Sequence, residues 1–182
     1  TILSTVKAVV SITDQRVLFD RILESSLQLA EADICWLSLR DERTNNFLLR
    51  AQRNLPEAWA RKMNQPVDDG ISSLVSLSGE SLVMNGSPLE KFKVAGLGKS
   101  VGVIPIKIQN EVIGLLIFVR KKDREMTHDT QVLLEAMADN PDEPPHDCVR
   151  LDEYERSFAK HLMQALFHLL YSFVKVQFEK PT

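Results

Sequence analysis

Apolar residues along the 182-residue chain change their spacing several times, and each change marks an element. At the start, Ile2, Leu3, Val6, Val9 and Val10 recur at helical steps, so residues 1–12 read as the end of an upstream helix or a linker. Ser11-Ile12-Thr13-Asp14 then offers a break and a new N-cap. From Asp14 to about Glu31 the spacing predicts the clearest helix of the chain. Val17, Leu18, Ile22, Leu23, Leu27 and Ala30 make its apolar face, with Arg16, Asp20, Glu24 and Gln28 opposite. The pattern then turns to strand. Ile34–Leu39 is mostly apolar, Asp41–Asn46 is a polar hairpin loop, and Phe47–Arg53 alternates as the return arm. Leu55–Met63 is expected as a short helix begun at Pro56 and closed by Pro66.

The stretch from Asp68 to Val119 organises the rest. A short helix opens at Gly70 and stops at Gly79, where a left-handed glycine ends a helix cheaply. A brief strand, Ser81–Met84, leads into a crossing loop, Asn85–Lys99, and then an apolar hairpin with arms Val101–Gln109 and Glu111–Arg120. Thr127 caps a helix from His128 to Asp139, and Asn140-Pro141 starts a Pro-rich linker over residues 140–150. Residues 151–182 carry a long helix in which Tyr154, Phe158, Leu162, Leu166, Leu169 and Phe173 recur every three or four positions. Met163, Phe167, Leu170 and Val174 widen that stripe beyond what one neighbour covers, which points to self-association as a homodimer. The order of elements lacks the strand–helix rhythm of a doubly wound fold. It predicts an α+β domain with a mostly antiparallel sheet and segregated helices.

Composition narrows the classes. Hydrophobic residues make up 44% and charged ones 26%, as in an ordinary globular domain, and a net charge of −3 offers no basic footprint for nucleic acid. Cys35 and Cys148 are too few for a disulfide framework, so a reducing, cytoplasmic compartment is expected. No signal peptide is visible, and a chain that starts at Thr1 reads as a fragment or processed form of a larger protein. The uncharged core of the last helix, Leu162–Val174, spans thirteen residues and includes Gln164 and His168. A membrane span needs about twenty, so no membrane partner is expected.

Three groups of residues carry a family resemblance: Asp69-Gly70-Ile71, then Ser78-Gly79-Glu80-Ser81-Leu82-Val83-Met84-Asn85, then Val103-Ile104-Pro105-Ile106 followed by Val112-Ile113-Gly114-Leu115-Leu116. With Leu133–Ala138 behind them, their order and spacing resemble the GAF domain, the small-molecule sensory module of phosphodiesterases, phytochromes and bacterial signalling proteins. The resemblance implies a central antiparallel sheet of five or six strands over residues 13–139. N- and C-terminal helices would pack on one face, while short helices and the crossing loop roof a ligand pocket on the other. Candidate walls are Trp36, Ile71, Val75, Met84, Phe92, Val94, Val103 and Pro105, all apolar and equally suited to plain core filling. PAS is the neighbouring fold, but its strand pair comes before its helices, whereas here a helix leads.

Other constellations are weaker. Gly96-Leu97-Gly98-Lys99-Ser100 looks like the tail of a phosphate-binding loop, but Lys93 stands where the motif needs glycine and a strand composition follows. The crossing loop contains no cysteine, so no covalent bilin is expected, and the Asn-Lys-Phe-Asp-Glu signature of cyclic-nucleotide GAF domains is missing, which disfavours that ligand. His146-Asp147-Cys148 and the pair His161 and His168 lack zinc-site spacing. Ser72, Ser73, Ser76 and Ser78 have no nucleophile elbow and no nearby histidine, and Asp68-Asp69 reads as helix N-terminal charge. No catalytic residue and no metal site are assigned, and the ligand is left open. The expected function is non-covalent sensing signalled through terminal helices to adjoining kinase or response-regulator domains. The alternative is a ligand-free dimerisation scaffold for adjoining effector domains.

Overall fold

The computed structural model describes residues 12–41, 43–108 and 111–122. In chain order these form α1 (Ile12–Leu29), β1 (Ile34–Arg40), β2 (Phe47–Arg53), α2 (Glu57–Ala60), α3 (Ser72–Ser78), β3 (Leu82–Asn85), β4 (Ser100–Ile108) and β5 (Glu111–Arg120). Two 3-10 turns, Ser87–Lys91 and Lys93–Gly96, shape the crossing loop. The five strands make one sheet in the order β2-β1-β5-β4-β3, and every neighbouring pair is antiparallel. The fold is α+β, as expected. The segments 128–139, 140–150 and 151–182, with the candidate dimer residues Tyr154, Phe158, Leu162, Leu166, Leu169 and Phe173, lie outside the described residues.

Both faces of this sheet are covered, which explains why β1 and β5 read as apolar runs rather than clean alternations. Side chains on β1 divide in strict turn: Cys35, Leu37 and Leu39 face back, Ile34 and Trp36 front. On β5, Leu116 and Phe118 face back while Leu115, Ile117 and Val119 face front. A register shift between Ile106 and Lys107 pairs Ile106 with Gly114 and Lys107 with Val112. The residue between, Ile113, is the bulge, and so Ile113 joins the back layer while Val112 joins the front.

Helix α1 covers the back of β1 and β2. Its buried arc is Leu18, Phe19, Ile22, Leu23, Ser26 and Ala30. This corrects the expected face at two positions: Phe19 is buried, and Val17 is 55% exposed. At 3.6 residues per turn Val17 falls roughly opposite the centre of that arc, where a single valine costs little in water. The polar residues Arg16, Asp20, Glu24 and Gln28 are exposed as expected.

The short helix after Pro56 is also shorter than its sequence implies, Glu57–Ala60 rather than Leu55–Met63. Its carbonyl at Pro56 accepts from the amides of Trp59 and Ala60, but Asn64 then turns left-handed at φ 61 and its amide bonds the Leu49 carbonyl. Leu49 in turn donates to Gln65, and Leu48 bridges Pro66. Backbone groups at the edge of β2 thus outcompete a second helical turn.

One corner of the sheet is heavily tied. The amide of Lys99 donates to the Arg120 carbonyl at 2.7 Å, and the buried Arg120 guanidinium donates through Nε to the Ala30 carbonyl at 2.9 Å. Arg120 Nη2 donates to the same oxygen, placing a cation at the carboxyl end of α1 where the helix dipole favours it. The Asp33 amide reaches the Val119 carbonyl, and Asp33 Oδ2 accepts from the Lys121 amide at 2.7 Å. Gly98 sits in the tightest place: a Cβ there would lie 2.4 Å from the Arg120 carbonyl oxygen. Its glycine serves close backbone approach, and β4 follows it instead of the helix that a phosphate-binding loop requires.

Candidate functional site

The front of the sheet is a second, separate apolar layer. Its floor is Ile34 and Trp36 from β1, Leu49 from β2, Val101 and Val103 from β4, and Leu115, Ile117 and Val119 from β5. Its roof comes from short, irregular pieces: Leu55 beside α2, Ile71 and Val75 of α3, and Leu89, Val94 and Leu97 of the crossing loop. Trp59, Ala60, Met84, Phe92 and Ala95 pack around them, each partly buried.

The eight candidate residues meet in this layer. Trp36, Ile71, Val75, Val94 and Val103 are fully buried members, and Met84 and Phe92 lie against them. Pro105 is buried on β4 opposite Leu115, a front-facing residue. The sequence reading missed Leu49, Leu55, Leu89, Leu97 and Leu115, and above all Trp59, whose ring lies 6.1 Å from that of Trp36 at a tilt of 49°. Such a tilted aromatic pair contributes about 1 kcal/mol beyond simple burial. The signal available for Trp59 was its size: a large aromatic side chain in a short segment bounded by Pro56 and Pro66 gains most by packing on the sheet.

Helix α3 is set in place by Asp69. Asp69 Oδ1 accepts from the amides of Ile71 and Ser72 at 3.0 and 2.9 Å, and Oδ2 accepts from the Ser72 hydroxyl. The carboxylate is 1% exposed, and burial pushes its pKa above the usual value although those hydrogen bonds oppose the shift. Its neighbour Asp68 behaves differently. It is exposed and paired with Lys93, whose hydrogen bond and charge hold its pKa low. Gly79 closes the helix at φ 70 with its amide on the Val75 carbonyl, as the sequence predicts. Leu74 and Leu77 on the outer side of α3 are exposed at 45% and 86%.

Polar groups are sparse in the layer. Ser38 is 4% exposed and, by its pairing with Leu49 and Leu115, stands on the same face as Trp36. At the end of that face Arg40 Nη2 bonds Glu111 Oε2 at 2.9 Å. Trp36 itself is 0% exposed, and its indole Nε1 has no hydrogen-bond partner among the described residues. A buried N–H left without a partner costs about 1–3 kcal/mol.

Cys35 lies in the back layer with its thiol directed to the Leu23 carbonyl at 3.7 Å, and burial pushes its pKa far up despite the opposing charge of Arg53. A thiol so held is not a nucleophile. Among the described residues no group of three or more His, Cys, Asp or Glu side chains could hold a metal, and no helix is long and apolar enough to cross a membrane.

The family model described as "GAF domain" matches residues 13–140. No curated protein matches. Among solved structures, the GAF domain of an Acinetobacter phosphoenolpyruvate-protein phosphotransferase superposes with a TM-score of 0.58 at 17% identity, covering 94% of this chain and 90% of that one. The second GAF domain of DevS from Mycobacterium smegmatis gives 0.54 at 15% identity, covering 82% and 94%. A type II free methionine-R-sulfoxide reductase from Thermoplasma acidophilum gives 0.54 at 16%, covering 84% and 92%. At such identities the superpositions speak for the fold and leave chemistry open. The family match covers well over half the sequence, and with the five-stranded antiparallel sheet and the roofed front layer it places this chain in the GAF domain family.

Proposed function

We propose that this domain binds a small molecule non-covalently between the sheet and its front roof and passes the change through its terminal helices at a homodimer interface. The observation that carries the reading is the roof itself. The back layer is closed by a regular helix, whereas the front is closed by α3, two 3-10 turns and the end of α2. Short pieces joined by loops rearrange at lower cost than one long helix, which suits a lid that must admit a guest. A ligand then acts by preferring one of two arrangements, with no catalytic residue required. Adjoining kinase or response-regulator domains would read the change in a cytoplasmic protein.

A second reading rests on the wide apolar stripe from Tyr154 to Phe173, which serves a ligand-free dimerisation scaffold equally well.

Two measurements separate these readings. A thermal-shift screen over nucleotides, tetrapyrroles and metabolites is expected to raise the unfolding midpoint with at least one compound. Sedimentation of the chain at tens of micromolar is expected to show a dimer. A dimer that no compound stabilises assigns the scaffold, and a monomer sinks the interface.

A further inference from the structure

We infer that the ligand of the front layer is a compact, largely apolar molecule carrying an oxygen acceptor, and that the acceptor takes the indole hydrogen of Trp36. This rests on the ligand-binding reading above and gives it a chemical class.

The argument begins with what an indole can do. Nε1–H donates and never accepts, so only an acceptor satisfies it. In this chain it is buried and has no hydrogen-bond partner among the described residues. Trp59 offers only a ring, with centroids 6.1 Å apart, and a contact from N–H to an aromatic face is a second-order substitute. Asp69 is the buried carboxylate among the described residues, and both of its oxygens are already engaged, on Ile71 and on Ser72. Helix α3 would lose its cap if Asp69 turned toward the indole.

The surroundings fix the rest of the class. Walls such as Ile71, Val94 and Ile117 are aliphatic and fully buried, so the body of the guest is apolar. Ser38 brings a hydroxyl to the same face two residues along β1, able to meet a second polar atom. Farther along that face stands the Arg40 guanidinium, paired with Glu111. Donors therefore line the floor from Trp36 to Arg40, which fits a carboxylate or a neutral carbonyl and opposes a cation. The two oxygen sources share one chemistry, and the experiment tells them apart.

The sequence contains two tryptophans, so the chain labelled with 15N-indole tryptophan gives two Nε1–H resonances, and Trp59→Phe assigns them. The labelled chain is titrated with benzoate and benzamide to about 10 mM and with toluene up to its aqueous saturation, a range that detects millimolar dissociation constants. Benzoate, benzamide or both are expected to move the Trp36 resonance downfield and saturably, while toluene, which has no acceptor, does not. Movement by benzoate alone identifies an anionic ligand, and movement by both a carbonyl oxygen without need of charge. Trp36→Phe is expected to weaken the acceptor-bearing probe about tenfold or more, with toluene binding unchanged. Should that variant not fold, the titration of the unaltered chain decides alone. A Trp36 resonance unmoved by all three probes, or moved equally by toluene, overturns the inference. A compound that raises the thermal midpoint yet leaves this resonance in place also overturns it, and leaves the sensing reading standing.

Discussion

Asp69 shows how much one side chain can settle. Read in sequence beside Asp68, it is simply negative charge at a helix start, yet the two carboxylates have opposite surroundings. Because Asp69 is buried, its pKa in the folded state stands above the unfolded value of about 3.9. Between those two values the folded chain holds more protons than the unfolded one, so lowering the pH through that window favours folding at this site. Asp69→Asn keeps the acceptor on Oδ1 and removes the titration. Denaturant unfolding from pH 7 downward is expected to show the native chain gaining stability relative to the Asn variant as the pH drops through the window. A constant difference contradicts the assignment. Asp69→Ala, which orphans the amides of Ile71 and Ser72, is expected to cost about 1–3 kcal/mol at neutral pH. The sequence showed an acid before a helix and could not show which of two would be buried, because that depends on how Val94, whose amide bonds the Asp69 carbonyl, folds over it. Cys35 makes a parallel case. In a Cys148→Ser background its thiol is expected to react with an aromatic disulfide reagent at least about a hundredfold more slowly in native buffer than in denaturant, and a native rate close to the denatured one would contradict its burial.

Elements were read from the sequence in proportion to how local their causes are. Phe47–Arg53 and Glu111–Arg120 agree at both ends because alternation and apolar runs are written into the strand itself. The stop of α3 at Gly79 was legible for the same reason. The sequence overextends helix α2 because its end is dictated by Leu49 on β2, a partner remote in sequence. Val17 is apolar, yet the helical period already places it opposite the arc that holds Phe19, so apolarity and angle disagree there and the angle decides. Gly98 belongs with the long-range causes. In sequence it resembles part of a phosphate loop, and its real requirement is the Arg120 backbone pressed against it. Gly98→Ala is expected to lose about 2–4 kcal/mol, since a backbone atom cannot step aside as a side chain can. Differential scanning calorimetry checks this, and an unchanged midpoint would mean that the corner is looser than described.

At the scale of the molecule, the sheet order and the two-layer burial follow from the element order together with two strands apolar on both sides. The eight candidate pocket residues could be named from sequence because the family resemblance supplied the roof that periodicity alone does not. The indole left without a partner could not be named, because an absent hydrogen bond has no sequence signature. The proposed dimer makes its own prediction. Leu162→Glu combined with Leu169→Glu puts charge on the apolar stripe and is expected to give a monomer by sedimentation, and a dimer that survives moves the interface elsewhere.

The corner at Arg120 has one further consequence. Its carbonyl is held by Lys99, the last residue before β4, and its guanidinium holds Ala30, just past α1. One residue therefore joins the roof on one side of the sheet to the helix on the other, at the point where the chain leaves β5. If the proposed guest lifts the crossing loop, the pull on that carbonyl would act on the residue that also holds Ala30 on the opposite surface, with no strand having to slide.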